Sequence, residues 1–366
     1  MRNKFSHFIF NLYRYNETQL HQLKYLFWEC TRRCNLNCLH CGSDCSASAK
    51  NQDMPFDDFL NAVLPYANAK EPVVIAITGG EPSLREDLPD CGRKLREHGF
   101  LWGMVTNGYN YTGNLHTKLM AAGMGSITVS LDGFESSHNW LRGNPQSFDR
   151  AVRAIDIVTS TRRLTYDIVT CVNQKNIDDL EAFKEFLIRH KVKAWRLFTI
   201  FPIGRAADNP DLHLRPDQLR RLMDFIVSSH ADSRIKVYFS CEAYTGDYEG
   251  KVRDGYFFCH AGVNIASVLI DGSISACPNI NRHFIQGNIY KDNFQDVWDN
   301  RFEVMRNRSW TKTGICKKCR DYSNCKGGAM HMWNEKQDGI MRCIHSEIMK
   351  LERGQVTEPV EVTRGQ

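Results

Sequence analysis

No stretch of this 366-residue chain stays apolar long enough to suggest a membrane span, and mean hydropathy is −0.44. The start, Met1-Arg2-Asn3-Lys4-Phe5, leads to no sustained apolar core and no small-residue cleavage site, so a secretory leader is not expected. Charge of one sign is scarce too. The 47 basic and 42 acidic side chains leave a net +5, short of the basic excess expected where nucleic acid is the main partner. There is no low-complexity tract and no internal repeat. What remains, 42% hydrophobic, 24% charged and 11% aromatic residues, is the composition of a packed globular chain. Its length suits one large domain or barrel with a smaller companion.

Cysteine, in contrast, is abundant. Of the 14, five lie between Cys30 and Cys45, six between Cys259 and Cys343, and Cys91, Cys171 and Cys241 stand apart. A disulfide framework spreads its cysteines through a short secreted chain, whereas these are clumped in a long one. Such thiol groups read as metal ligands in a reducing compartment, and the expected address is the cytoplasm. The three separate cysteines read as small buried hydrophobes.

β-rich runs at Lys24–Glu29, Val73–Thr78, Leu101–Thr106, Ser126–Leu131, Tyr166–Val172 and Ala194–Ile200 alternate with helical spacing at Asp57–Ala69, Asp87–His98, Leu115–Ala122, Ser147–Ser160 and Ile177–His190. Intervals of this size suit right-handed βαβ crossovers. The fold class expected is α/β: a partial (β/α)6 TIM-like barrel over residues 24–205, preceded by a cap over 1–23 packed through Phe5, Phe8, Ile9 and Leu12. A bridge over 206–258 includes a helix at Pro216–Ser229 and a strand that ends before Cys241. A small cysteine-rich domain over 259–350 follows, with a hairpin (Ile265–Ile270, Ser273–Ala276) turned by Asp271-Gly272, a helix near Phe294–Arg306, and little apolar sequence for a core of its own. A flexible tail is expected over 351–366.

Chemistry concentrates in four places. Cys34-x3-Cys38-x2-Cys41 lies in the loop after the first predicted strand, at the end of a β/α barrel where active sites form. Three thiolates on one short loop can hold three corners of an iron–sulfur cubane and leave one iron free; a zinc site completed by Cys30, Cys45 or His40 is the alternative. Thr78-Gly79-Gly80-Glu81-Pro82 ends the second strand, with glycines that admit close backbone approach and a carboxylate that suits an ammonium group. Asn107 and the pair Ser130 and Asp132 end the third and fourth strands, and Thr170 and Asn173 tip the fifth. In the C-terminal part come Cys259, Gly272-x4-Cys277, Cys316-x2-Cys319-x5-Cys325 and Cys343, for which a zinc ribbon is the alternative. Arg142-Gly143 reads as a loop anchor.

The Cys34-x3-Cys38-x2-Cys41 spacing resembles the signature of the radical S-adenosylmethionine (SAM) enzymes, and the C-terminal cysteines resemble the SPASM and Twitch extensions of its peptide and protein maturases. The chain is similar, too, to Bacteroidetes-type radical SAM proteins associated with a lipoprotein. The resemblance implies that Cys34, Cys38 and Cys41 ligate a [4Fe–4S] cluster whose free iron is chelated by SAM. It further implies that His40 lies by the adenine, that Gly79, Gly80 and Glu81 meet the SAM amino group, and that Asn107, Ser130 and Asp132 line its ribose and methionyl parts. Cys316, Cys319, Cys325 and Cys343 would then close one auxiliary cluster. Cys259 and Cys277 lack expected partners, because Ala329 stands where the SPASM pattern has a cysteine. Either their cluster is absent, or it has non-cysteine ligands, or they join Cys316 and Cys319. Pro278 stands where the sulfatase-maturing branch carries an Asp base, which argues against that activity.

The resemblance thus implies reductive SAM cleavage to a 5′-deoxyadenosyl radical and hydrogen abstraction from a peptide or protein, with a lipoprotein among the candidates. A small flavodoxin- or ferredoxin-type donor would supply the electron, and no nucleic acid is involved. Maturation of a tetrapyrrole or other small molecule is the second enzymatic reading, and a zinc-stabilised binding module is the non-enzymatic one.

Overall fold

The computed structural model describes residues 2–49, 52–207, 209–334 and 339–352. An N-terminal helix α1 (Arg2–Leu20) precedes seven strands: β1 (Tyr25–Thr31), β2 (Val74–Gly79), β3 (Leu101–Thr106), β4 (Ser126–Ser130), β5 (Thr165–Val172), β6 (Ala194–Thr199) and β7 (Lys236–Phe239). Between them run α2 (Phe56–Val63), α3 (Leu88–Glu97), α4 (Gly113–Ala121), α5 (Glu135–Arg142), α6 (Ser147–Thr159), α7 (Leu180–Arg189) and α8 (Pro216–Ser229). Each of these seven strands pairs parallel with the next in chain order, the arrangement a run of βα units produces.

The helices start and stop where local chemistry dictates. The Thr112 side chain accepts the Leu115 N–H to cap α4, Pro216 opens α8, and Gly143 takes the left-handed conformation that ends α5. Within the barrel one helix escapes the sequence reading: α5, whose Glu135-Ser-Ser-His-Asn-Trp-Leu-Arg142 stretch has too few apolar residues for a periodic signal. The strand expected in the bridge is β7, the seventh of the parallel run.

The C-terminal part is not the separate body that the sequence suggested. Strands β8 (Ile265–Val268), β9 (Ser273–Ser275) and β10 (Gly287–Asn288) extend the same sheet, giving the order β10-β9-β8-β1-β2-β3-β4-β5-β6-β7. β8 pairs parallel with β1, with Tyr25 opposite Ile265 and Trp28 opposite Val268. One apolar core runs from Leu23 through the barrel helices to Trp298, Trp333 and Ile348, so this segment draws its packing from the whole chain. The helix expected over Phe294–Arg306 is two, α9 (Phe294–Asn300) and α10 (Glu303–Arg306), broken where Phe302 turns into the core. Two short helices, α11 (Tyr322–Cys325) and α12 (Ile344–Glu352), complete it. The tail expected over 351–366 begins inside α12, and the rest of it lies outside the described residues.

The face through which α1 packs also differs from expectation. Phe8, Ile9 and Leu12 are exposed. Contact is made by His7 and Phe10, whose rings meet Tyr256, and by Arg14, which donates to the carbonyls of Ser323 (2.7 Å) and Asn324 (2.5 Å). Phe5 lies outside the described side chains. No described helix is long and apolar enough to cross a membrane.

Candidate active site

The loop after β1 is folded back against the end of β2. The carbonyl of Thr31 accepts from Gly80 N–H (2.7 Å), that of Arg33 from Glu81 N–H (2.9 Å), and that of Ser46 from Cys34 N–H (3.1 Å). Both glycines are needed for this contact. A Cβ on Gly79 would lie 2.2 Å from the Thr31 carbonyl oxygen, with φ at +135°, and one on Gly80 would lie 2.2 Å from that of Arg33. Thr31 and Arg33 both bond Asp53 from the inner side of the loop. From the far side Arg205 donates to the carbonyls of Cys38 (2.7 Å) and Cys45 (3.1 Å) and to Asp44 (2.9 Å). The loop carrying Cys34, Cys38 and Cys41 is thereby held from the β1, β2 and β6 sides at once.

The other sequence-picked residues converge on it. Asn107 donates through Nδ2 to Asn35 (2.8 Å) and lies 3.8 Å from the Cys34 sulfur. Asp132, fully buried, accepts from Arg142 Nε (2.6 Å) and from the Cys171 N–H (2.9 Å), and Arg142 Nη1 lies 3.8 Å from the Cys38 sulfur. Burial works against ionisation of Asp132, yet Arg142, with the neighbouring His40 and His138, holds its carboxyl down at about 2. Ser130 ends β4 and is buried beside it. His40, Asp132 and Cys171 bring one donor atom each within 4.8 Å of one another. Burial keeps His40 neutral, lowering it to about 3, and its Nδ1 is buried without a partner, as is Asn35 Nδ2.

The thiols differ among themselves. Burial pushes Cys34 up to about 11 and raises Cys38, whereas Cys41, accepting from the side chain and the N–H of Cys45 with Arg205 nearby, is lowered. Cys45 is correspondingly raised, and Cys30, enclosed in β1, is raised well above an ordinary thiol by burial.

Three expectations need correction. Glu81 is not a carboxylate held open for a ligand alone, because the fold already uses it: Oε1 accepts from Ser83 N–H (3.1 Å) and Thr106 Oγ1 (2.8 Å), and Oε2 accepts from Asn107 N–H (2.8 Å). It is a strut that ties the ends of β2 and β3, and only the backbone around it faces the loop. Thr170 and Asn173 are likewise used internally, Thr170 bonding the Leu131 carbonyl (2.5 Å) and Trp195 (2.8 Å), and Asn173 the Cys171 carbonyl (3.1 Å). Cys241 is not an isolated buried hydrophobe. It follows β7 as an exposed residue between buried Ser240 and Glu242, and Cys259 contributes to raising its thiol. Sequence reasoning also undervalued Arg142, which its position just before a turn glycine marked only as an anchor.

Cys316, Cys319, Cys325 and Cys343 line one cavity of about 470 Å³. Cys343 is pushed up to about 12, by burial first and then by Cys316 and Cys319, while Cys325 is raised by burial and by the other three thiols. Cys277 is pushed up to about 12, by burial first and then by Cys259 and Cys241.

Two family models match the chain: the radical SAM superfamily over residues 28–187, and SPASM, an iron–sulfur cluster-binding domain, over 259–320. The chain is a radical SAM enzyme. The chain is 29% identical to a mycofactocin maturase, MftC, of Mycolicibacterium smegmatis, over 83% of this chain and 77% of that one. It is 24% identical to an AdoMet-dependent heme synthase of Methanosarcina barkeri, over 87% and 95%. Its fold matches a solved structure described as native anSMEcpe with bound AdoMet, with a TM-score of 0.71 at 19% identity, covering 91% of this chain and 96% of that one. Radical SAM enzymes use a [4Fe–4S] cluster and SAM, and SPASM domains bind auxiliary clusters.

The donor sets present fit such clusters better than single ions. Tetrahedral zinc at about 2.3 Å from each sulfur draws its thiolates to within about 4 Å of one another. Among the described residues the groups with three donor atoms within 4.8 Å are His40, Asp132 and Cys171, and Cys319, Asp321 and His345; no all-thiol set is that tight. Thiols that sense one another's charge at a wider spacing suit a multi-iron core.

Proposed function

We propose that this radical SAM enzyme generates a 5′-deoxyadenosyl radical at the Cys34, Cys38 and Cys41 loop and abstracts hydrogen from a peptide or protein. The observation that carries the peptide reading is the similarity to the mycofactocin maturase across most of both chains. When bound, the cluster and SAM supply one-electron cleavage of the sulfonium to methionine and the radical.

The chain's own residues supply position, charge and enclosure. Cys34, Cys38 and Cys41 would hold three irons, and Cys41, already lowered, would give up its proton most readily. Asn107 and Arg142 place N–H donors near the sulfurs of Cys34 and Cys38, a placement that stabilises thiolate ligands. Gly79 and Gly80 bring the end of β2 against the loop, and the unpartnered His40 Nδ1 and Asn35 Nδ2 are free to bond SAM. Glu81 and Asp132 keep the strand ends rigid rather than touching the reacting atoms. A flavodoxin- or ferredoxin-type donor would deliver the electron, and the free state of all fourteen thiols supports work in a reducing compartment such as the cytoplasm. A lipoprotein is among the candidate substrates.

The similarity to heme synthases, which reaches 95% of one relative's length, favours tetrapyrrole maturation as the second reading. Anaerobic reconstitution with dithionite and SAM should yield 5′-deoxyadenosine. Coexpression with short peptides encoded by neighbouring reading frames should then change the mass of one of them by loss of hydrogen; unchanged peptides together with turnover of an iron porphyrin would replace the first reading with the second.

A further inference from the structure

Positive charge is spread unevenly along the chain. Residues 301–326 carry eight basic side chains against two acidic ones, a surplus that alone exceeds the net +5 of the whole sequence. The fold gathers part of it in one place. Arg306, Arg308, Lys312 and Lys326 line a cavity of about 850 Å³, and Arg14 joins them from α1. The acidic side chains in the lining are Asp299 and Glu303, both exposed, and among the described residues none of the five cations forms an ion pair. By contrast Arg301, on the same segment but outside the cavity, pairs with Asp292 (2.9 Å).

Contacts hold the five in place without neutralising them. Arg14, 8% exposed, donates to the Ser323 and Asn324 carbonyls, Arg308 to those of Met305, Gly328 and Cys259, and Arg306 to those of Gly262 and Asp299. The ammonium groups of Lys312 and Lys326 both lie over the ring of Tyr322, at 5.6 and 5.9 Å, and its hydroxyl bonds the Arg308 carbonyl (2.8 Å). Lys326 does so from a left-handed backbone, φ +52°, where glycine is favoured. Like charges packed this closely repel, and an anion entering the cavity relieves the repulsion.

Shape narrows the kind of anion. α1 lines the cavity through Asn11, Arg14, Tyr15, Thr18 and Gln19, of which the first four are one face of a helix. That face runs for about 12 Å, the length of about four extended residues. A lone phosphate would leave most of it empty. His21 precedes β1 and Val263 precedes β8, which runs parallel to β1, so the cavity lies at the starts of these strands, whereas the Cys34 loop follows the end of β1. The seven residues of β1 put about 20 Å between the two. A ligand held here is away from the reacting atoms.

We propose that this cavity anchors an acidic, extended segment of a peptide substrate, remote from the residue that loses hydrogen. The proposal rests on the peptide reading of the function, and adds where and by what charge the substrate is gripped.

Fluorescence anisotropy on reconstituted protein tests it. A labelled pentapeptide of alternating glutamate and alanine should bind about tenfold tighter than its glutamine counterpart. Lys312→Glu with Lys326→Glu should remove that preference at wild-type iron content. Lys317→Glu with Lys318→Glu, the same charge change on the same segment outside the cavity, should bind both peptides as wild type does. For a peptide that the enzyme modifies, the first pair should raise KM about tenfold. Equal binding of the two peptides by wild type overturns the proposal, and this comparison stands even where a variant fails to fold. So does unchanged binding by the first pair, an equal loss by the second, or loss of iron from a soluble first pair, which would make the cations partners of the C-terminal metal alone. Peptides modified by the first pair with wild-type KM overturn the anchor and leave the peptide reading intact. Turnover of an iron porphyrin with no peptide modified removes the peptide reading and the anchor with it.

Discussion

At the scale of single residues, the site depends on which groups touch the sulfurs and which only hold the walls. Cys38 belongs to the first kind. Cys38→Ala should abolish 5′-deoxyadenosine formation and remove about four irons per chain while the C-terminal absorbance persists, as iron analysis and optical spectroscopy would show. Asp132 belongs to the second. Its carboxyl is held at about 2 in the folded chain against an ordinary value of 3.8. A depressed carboxyl contributes stability that is present above its unfolded value and lost as pH falls through the folded one. The difference corresponds to about 2 kcal/mol. Asp132→Asn in the iron-free chain should therefore be less stable than wild type in urea at pH 6 by at least that amount, since Arg142 is also left buried without its partner. The gap should close between pH 4 and 2, and a pH-independent gap would mean that the ion pair is not what stabilises the mouth. The sequence marked Asp132 and Arg142 but gave no means to see them as a pair. Glu81 was hard to read for the same reason: its partners Thr106 and Asn107 come from another strand, and only the fold shows that its carboxylate ties β2 to β3.

At the scale of elements, strands with glycine-bearing ends and the helices between them were legible because βα units impose a repeated local pattern. α5 was not, being too polar for periodicity. The contact between the cysteine loop and the end of β2 is the element-level joint of the active site. Gly80→Ala would drive a methyl group into the Arg33 backbone, which cannot yield cheaply, so a loss of about 2–4 kcal/mol is expected. SAM cleavage should fall at least tenfold while the C-terminal iron is kept, a split that iron content and product formation read separately. α1 was placed correctly as a cap but on the wrong face, because Phe8, Ile9 and Leu12 outrank Arg14 on any hydropathy scale. Arg14 nevertheless reaches the Ser323 and Asn324 carbonyls beside Cys325. Arg14→Ala should loosen that end of α11 by about 1.5–3 kcal/mol. The outer thiol group should then lose its iron faster in air than in wild-type protein, with the SAM-binding iron decaying at the wild-type rate.

At the scale of the whole molecule, the question is whether metal or sheet holds the C-terminal part in place. Its sparse apolar sequence suggested metal, but the structure weaves it into the barrel at several points. β8 fills the open edge of β1, the Asn264 carbonyl accepts from the backbone of Lys24 and Tyr25, Ile270 N–H bonds buried Glu29 (2.9 Å), Trp298 bonds the His21 carbonyl (2.9 Å), and Arg342 bonds the Leu214 carbonyl. Such non-local pairing cannot be read from composition, because β1 and β8 are partners separated by most of the chain. Two truncating experiments then diverge. Cys316→Ser with Cys319→Ser should cost about four irons yet leave a soluble monodisperse chain, since β8, the hairpin and the shared core remain. Ending the chain at residue 258 should strip β1 of its neighbour and expose the core around Leu26 and Trp28, giving an aggregating product even when the SAM-binding loop is intact. Size-exclusion chromatography of both decides the matter. A soluble 1–258 fragment that cleaves SAM would show that the barrel stands alone and that the continuous sheet is an accessory; an aggregated double mutant would return the structural role to the metal.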